Sequence, residues 1–334
     1  MGSTAPPPGV RVVFAGAFSS AFADRVRAIL TIACEIAVID ESTIVSRMPD
    51  VDILVTLVFT REMGAAAGRL RLVQVPGAGL DRIDRSVLPR GAWLANAYGH
   101  ETAIAEYVIG AMLSWSRGFC RLDENLRRGN WDGSGMVSAP PRADLSGKVL
   151  GILGYGRIGR CVAQRAQTFG MAVHAVRQTA GRQDAAGLAF LGGPDALDAI
   201  LTRADYLVIA LPLTASTRGL LGARELESMK RTAVLVNVAR AEIVDEEALY
   251  RALARRMIAG AVLDVWYRYP SGPAPTLPAH YAFHELPNVL MTPHVAGWTE
   301  GTLEARAQLI AGNIMRVARG EAPANVVAGP EQGR

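Results

Sequence analysis

Lysine is almost missing from this chain: Lys148 and Lys230 are its only ammonium side chains, and arginine makes up the rest of the 35 basic residues. Against 31 acidic residues this leaves a formal net charge of +4. No dense basic run occurs, which argues against a nucleic-acid partner, and the arginine excess reads as codon bias. Cysteine is scarce as well. Cys34, Cys120 and Cys161 are scattered and form no C-x-x-C pair, so neither a disulfide framework nor a structural zinc site is expected. No metal is expected elsewhere, and the free thiols point to a reducing compartment. No apolar run approaches the ~20 residues that span a bilayer. Residues 1–9 are Pro-rich without the apolar core of a signal peptide, which predicts a disordered leader and a cytoplasmic protein with no membrane partner.

What is abundant is apolar side chain. Half of the 334 residues are hydrophobic and a fifth charged, as in a globular protein with sizeable cores, and the length predicts roughly two domains. Strand-like runs alternate with helix-patterned segments almost throughout, which predicts an α/β protein with parallel sheets. The early strands are expected at residues 11–15, 35–39, 52–58, 72–75 and 93–95. A long helical pattern covers residues 102–126, and the Gly-, Pro- and Asp-rich residues 129–145 read as a loop. Later strands are expected at residues 206–210, 233–237, 261–265 and 289–291. A last helix over about 300–319 carries the chain back, so that one domain is inserted into the other.

One segment states its chemistry directly. The apolar run Val149-Leu150-Gly151-Ile152-Leu153 leads into Gly154-Tyr155-Gly156-Arg157-Ile158-Gly159, then a helical pattern, then a second apolar run over residues 171–176. Glycines in this order permit a tight turn, close backbone approach to a pyrophosphate, and close packing of helix on strand. The helix N-terminus adds unpaired N–H groups and a positive dipole end. About 20 residues further on, an acidic side chain would hold a ribose 2′-hydroxyl, whereas an arginine accommodates a 2′-phosphate. Arg177 stands there, with Gln178, Thr179 and Arg182 close by as further phosphate partners. The pattern proposes NADP(H) as the preferred cofactor, with NAD(H) possible. A lone glycine turn has many other uses, and its placement between two strand patterns is what gives it weight.

Three later motifs specify the reading: Leu211-Pro212-Leu213-Thr214, Asn237-Val238-Ala239-Arg240 and Thr292-Pro293-His294. With the glycine turn, their order and spacing resemble the D-isomer-specific 2-hydroxyacid dehydrogenases from about residue 50 to 320. The resemblance implies a flavodoxin-like substrate domain and an inserted, doubly wound dinucleotide-binding domain, two Rossmann-like domains with the substrate in the cleft between them. Residues 1–101 with 300–334 would form the first and 102–299 the second. A homodimer is implied, with a dimerisation arm around residues 116–147.

The resemblance also implies roles for residues. Arg240 corresponds to the arginine that binds the carboxylate and carbonyl oxygens through its planar fork. His294 corresponds to the proton donor. The turn Gly77-Ala78-Gly79-Leu80 corresponds to a loop whose N–H groups hold the substrate carboxylate. Cofactor contacts fall on Gly154, Gly156, Arg157, Ile158 and Gly159, on Leu211, Pro212 and Thr217, and on Val238, Ala239, Asp264, His294 and Gly297. Asp264 matches the aspartate near the nicotinamide carboxamide, with a structural cap as its other reading. Glu106 is expected to be structural. His174 is expected to pack inside a strand, and His280 and His284 to be solvated.

The chain departs from the family pattern in three places. Tyr269, followed by Pro270, stands where the family has the glutamate partner of the histidine, and a neutral phenol raises an imidazole pKa far less than a carboxylate does. Glu285 is an alternative partner. His100 stands where many members have an asparagine facing the substrate, and Ala241 replaces the glycine after the arginine. The leading expectation is an NADPH-preferring reductase of small 2-oxoacids, of the glyoxylate or hydroxypyruvate type. Two alternatives stay open: a dinucleotide-sensing protein akin to the C-terminal-binding-protein co-repressors, and a formate- or phosphite-type dehydrogenase.

Overall fold

The computed structural model describes residues 9–178, 187–270, 272 and 274–330. The expected leader, apart from Gly9, and the cofactor expectations at Thr179 and Arg182 lie outside these residues. The chain forms two compact units, one from the segments up to Gly99 and from Glu300 onward, the other from His100–Thr299.

In the first unit, strands β1 (Val10–Ala15), β2 (Cys34–Ile39), β3 (Ile53–Val55), β4 (Leu72–Gln74) and β5 (Trp93–Ala95) lie parallel in the order β2-β1-β3-β4-β5. That is the flavodoxin-type order. A last strand, Val326–Ala328, pairs antiparallel with β5. Along β1 the side chains alternate between two cores: Val12 and Phe14 join one face, Val13 and Ala15 the other. The returning helix Glu300–Ala318 covers the first face with Leu303, Ala307, Ile310 and Ile314 at helical spacing. The strand expected over residues 52–58 is shorter because Thr56 folds on itself. Its hydroxyl donates to the Val58 carbonyl and accepts from the Val58 N–H, which turns the chain out of the ladder.

The second unit holds β6 (Val149–Leu153), β7 (Ala172–Val176), β8 (Phe190–Gly192), β9 (Tyr206–Ile209), β10 (Val234–Asn237), β11 (Gly260–Leu263) and β12 (Val289–Met291). All pairings are parallel, in the order β8-β7-β6-β9-β10-β11-β12. The order reverses between β6 and β9, and in doubly wound sheets ligands bind at the carboxyl ends beside such a reversal. Strands β9, β10 and β11 are buried along their whole length, as expected where helices cover both faces. The helix Glu101–Arg117 lays Ile104, Ala105, Val108 and Met112 on one face, against Leu150, Ile152 and Val162.

The single helix expected over residues 102–126 is in fact two. Gly118 adopts φ 69°, a left-handed conformation that ends the helix Glu101–Arg117 and starts Phe119–Arg127 in a new direction. After that break the chain exposes Phe119, Leu126, Trp131 and Met136, the last at 86 % of its surface. Among the described residues, no helix is long and apolar enough to cross a membrane. Nor, among them, does any group of three His, Cys, Asp or Glu side chains come together to hold a metal ion.

Candidate active site

The glycine turn leaves β6 at the strand-order reversal, and its shape depends on missing side chains. Gly154 has φ 103°, and a Cβ on it would stand 2.6 Å from the Ala210 carbonyl oxygen and 2.9 Å from the Leu211 nitrogen. A Cβ on Gly159 would run into the Gly154 carbonyl, so helix and turn touch backbone to backbone. Gly156 caps the helix Arg157–Thr168 and faces open space, with nothing within 4 Å of its Cβ direction. No acidic residue occupies that helix's first turn to compete for its N–H groups. Arg157 reaches Glu101 at 4.0 Å, Ile158 packs on the core, and the Arg160 guanidinium lies 4.9 Å above the Tyr155 ring. This cradle fits a dinucleotide pyrophosphate by the criterion that matters: the backbone is approachable and its donors point out of a helix end.

The neighbouring strand ends complete the cradle. Arg177 follows β7 directly, half-buried, its N–H bonded to the Gly192 carbonyl at 3.1 Å, and Gln178 beside it is exposed. Beyond β9, Thr217 braces the Leu211-Pro212 turn by donating to the Pro212 carbonyl at 2.7 Å while accepting from the Thr214 N–H at 2.8 Å. Beyond β10, Val238 and Ala239 are buried and Asn237 builds the turn that presents Arg240. Its side chain accepts from the Ala239 N–H at 3.1 Å and donates to the Arg240 carbonyl at 2.9 Å. The Arg240 guanidinium in turn donates to the Ala239 carbonyl at 2.8 Å. Ala241 is 2 % exposed within a 3₁₀ turn at Ala241–Ile243, so the methyl group in place of the family glycine is packed there.

His294 sits on a loop tied down from both sides. Its backbone has φ 58°, a left-handed conformation that costs a histidine about 1 kcal/mol or more and persists only where the surroundings impose it. Asp264 imposes it from below. At 1 % exposure, its carboxylate accepts from the Thr292 hydroxyl at 2.6 Å and from the Val295 and Ala296 N–H groups at 2.8 Å each. Three donors on one buried carboxylate make Asp264 the anchor of the loop. A carboxylate only accepts, so the Thr292 proton goes to Asp264 and the Tyr107 hydroxyl, 2.5 Å from the Thr292 oxygen, must donate to Thr292. Burial pushes the Tyr107 phenol up to about 12, which keeps that donor protonated. Trp266 adds a bond from its ring N–H to the Thr292 carbonyl at 2.8 Å.

From the other side Tyr269 meets the imidazole. Its hydroxyl lies 2.8 Å from His294 Nδ1 and accepts from the Trp266 N–H at 3.3 Å. Partial burial raises the phenol pKa, so it stays neutral. Glu285 instead lies 3.8 Å from His284, its nearest ionic contact, and 72 % of its side chain is exposed. His100 is buried at the start of the helix Glu101–Arg117, where the Gly297 Cβ direction points at its Cβ, 3.4 Å away. Glu106 is exposed and pairs with Arg165 at 3.7 Å. His174, inside β7, has its ring 5.8 Å from that of Phe190 on β8 in a tilted arrangement, and burial lowers its pKa. His280, expected to be merely solvated, is held by the Glu246 carboxylate at 2.8 Å. Sequence reading missed Tyr107, Trp266 and Thr292 as supports of the loop; only the acidic residue closing the apolar strand before it signalled that donors had to be near.

In the first unit, the turn after β4 directs its carbonyls to the scaffold. Gly77 accepts from the Ala97 N–H and Ala78 from the Asn96 amide, both at 3.0 Å, and Leu80 accepts from the Ile83 N–H at 3.1 Å. The N–H groups of Gly77, Ala78 and Gly79 make no hydrogen bond among the described residues.

The chain is similar to known proteins over most of its length. Residues 109–296 match the family model of the D-isomer specific 2-hydroxyacid dehydrogenase, NAD binding domain. A glyoxylate reductase of Thermococcus gammatolerans is 35 % identical over 297 residues, covering 86 % of each chain. A D-3-phosphoglycerate dehydrogenase of Methanocaldococcus jannaschii is 32 % identical over 86 % of this chain and 53 % of its own length. Among solved structures, an NADPH-dependent glyoxylate/hydroxypyruvate reductase from Sinorhizobium meliloti, in complex with NADP and malonate, has a TM-score of 0.80. It is 27 % identical, over 97 % of this chain and 98 % of that one.

Proposed function

The chain belongs to the D-isomer specific 2-hydroxyacid dehydrogenase family, and on that premise we propose that it reduces a small 2-oxoacid, of the glyoxylate or hydroxypyruvate type, to the D-2-hydroxyacid with NADPH preferred over NADH. The observation that carries this is that one parallel sheet presents Arg240 after β10, braced by Asn237, and His294 after β12, bonded by Tyr269 on a loop that Asp264 anchors. A sensor of dinucleotides needs the glycine cradle but neither of these side chains.

The cofactor, when bound along Gly154–Gly159, supplies the hydride for the substrate's 2-carbon. Arg240 holds the carboxylate and carbonyl oxygens with its planar fork and draws electron density from the 2-carbon. In the first unit, the N–H groups of Gly77, Ala78, Gly79 and Leu80 are proposed as carboxylate donors. His294 gives its ring proton to the oxygen that becomes the alcohol. Asp264 serves this step through the loop it anchors, and a contact to the nicotinamide carboxamide is compatible with that duty. Leu211, Pro212, Thr217, Val238, Ala239 and Gly297 wall the cofactor, and Arg177 with Gln178 meets the ribose phosphate. A guanidinium there makes a charge-assisted bond to a 2′-phosphate that a carboxylate would repel.

The two working domains are proposed as residues 1–101 with 300–334 and residues 102–299. A homodimer is proposed through the arm around residues 116–147, where Phe119, Leu126, Trp131 and Met136 expose apolar surface, and the cytoplasm is the expected location. The test is a panel of glyoxylate, hydroxypyruvate and phenylpyruvate with NADPH and NADH, alongside a cofactor-binding titration. Turnover with at least one acid and faster use of NADPH is expected. Cofactor binding without turnover on any acid favours the dinucleotide sensor, and cofactor reduction by formate or phosphite favours that class of dehydrogenase.

A further inference from the structure

We propose that Tyr269 donates its phenolic proton to Nδ1 of His294 and so fixes the neutral ring as the form protonated on Nε2. Tyr269 is then a positioning residue that sets which face of the imidazole carries the donor. This deepens the proposed function, because it rests on His294 being the group that faces the substrate oxygen.

The geometry supplies the donor and the acceptor that this order of protons needs. The Trp266 main-chain N–H can only donate, and it is aimed at the phenol oxygen, 3.3 Å away. That oxygen accepts on one side, and the hydroxyl has one proton left to give. Nδ1 of His294 lies 2.8 Å from it, within the range of a good hydrogen bond. The turn makes this arrangement local. Trp266 and Tyr269 are three residues apart, so the phenol folds back over its own backbone and is oriented before it meets the imidazole. Trp266 is held independently by its ring N–H on the Thr292 carbonyl, and the histidine loop by Asp264 on the Val295 and Ala296 N–H groups. Both partners are therefore anchored through separate bonds.

The chemical consequence is opposite to that of a carboxylate at the same place. A carboxylate can only accept, so it demands a proton on Nδ1; a neutral ring beside it then presents a bare Nε2 to the substrate. A phenol can donate, and a neutral ring beside it presents Nε2–H. With Tyr269, the group offered to a substrate carbonyl oxygen is a hydrogen-bond donor whether the imidazole is neutral or protonated. A 2-oxoacid is thus oriented by His294 even in the fraction of enzyme that has yet to load the proton it will deliver.

The test reads the ring nitrogens directly. The full chain is labelled with ¹⁵N-histidine, the His294 signals are assigned against His294→Gln, and two-bond ¹⁵N–¹H spectra are recorded at a pH where the ring is neutral. In the native protein the proton is expected on Nε2, with Nδ1 unprotonated. Tyr269→Phe is expected to give a mixture of the two forms, and Tyr269→Glu a ring carrying its proton on Nδ1. A native ring protonated on Nδ1, or a Tyr269→Phe spectrum identical to the native one, overturns the proposal. In turnover, loss of one neutral hydrogen bond by Tyr269→Phe is expected to lower kcat about fivefold while the KM for NADPH is unchanged. If the native protein reduces no 2-oxoacid, the proposed function fails, while the spectra still decide the tautomer.

Discussion

The glycine turn after β6 and the loop that carries His294 are shaped by opposite means. The turn is made of backbone that tolerates no side chain: Gly154 lies against Ala210, and Gly159 against Gly154. The loop is made of side chains that bond backbone, with Asp264 on Val295 and Ala296 and Trp266 on Thr292. A shape set by steric exclusion leaves little room for variation, and its residues announce themselves as glycines. A shape set by bonding partners permits exchange, as the tyrosine at the family's glutamate place illustrates. In the proposed function, the cofactor turn is thus the half of the site shaped by steric exclusion and the histidine loop the half shaped by bonding partners.

The sharpest way to break that contrast is to remove the loop's anchor. Asp264→Ala strands the Thr292 hydroxyl, the buried Ala296 N–H and the part-buried Val295 N–H without an acceptor, and is expected to cost about 3 kcal/mol of stability. Urea unfolding of the variant measures it, and a loss below about 1 kcal/mol would place the anchor elsewhere. The matching change in the turn is Gly159→Ala. Its methyl meets a carbonyl oxygen rather than a movable side chain, so about 2 kcal/mol of overpacking is expected, read as lost stability in the same urea unfolding. Next comes Arg177→Asp, which replaces a charge-assisted bond to the 2′-phosphate by a repulsion and is expected to lower the NADPH-over-NADH preference at least ~10-fold. An unchanged preference removes Arg177 from the cofactor site.

The smallest effect concerns protons. The Tyr269 phenol, half-exposed and with its pKa raised by partial burial, is neutral, so no anion at this place favours the imidazolium form of His294. An ionised carboxylate there would favour it and raise the imidazole pKa. Reduction draws on the imidazolium, so its rate falls as pH rises through that pKa. Tyr269→Glu is accordingly expected to move the alkaline limb of the reduction profile up by about one pH unit. A limb that stays in place separates Tyr269 from the chemistry of His294.

The same contrast explains what could be read before the structure. The α/β class and the parallel strands were legible because buried strands repeat apolar side chains over several residues. The glycine turn was legible because excluded volume leaves glycine behind it. The edge strands β8 and Val326–Ala328 were not, since neither is a buried apolar run: β8 is only partly buried and ends in glycine, and Val326 is exposed. The break at Gly118 was hidden because apolar spacing continues on both sides of it. Tyr269 could be placed by its position before Pro270, but its bond to Nδ1 depends on a loop about 25 residues away being tied down. The route from Tyr107 through Thr292 to Asp264 joins three distant segments, and no local pattern encodes such a chain of donors.

The central claim, a cofactor cradle joined to a working Arg240–His294 pair, is tested most directly by following NADPH consumption with glyoxylate and hydroxypyruvate and determining the configuration of the product. The account predicts turnover, with hydroxypyruvate giving the D-isomer and with activity lost in Arg240→Leu and His294→Gln while NADPH still binds. Tight NADPH binding with no reduction of either acid, or turnover that survives both substitutions, would contradict it.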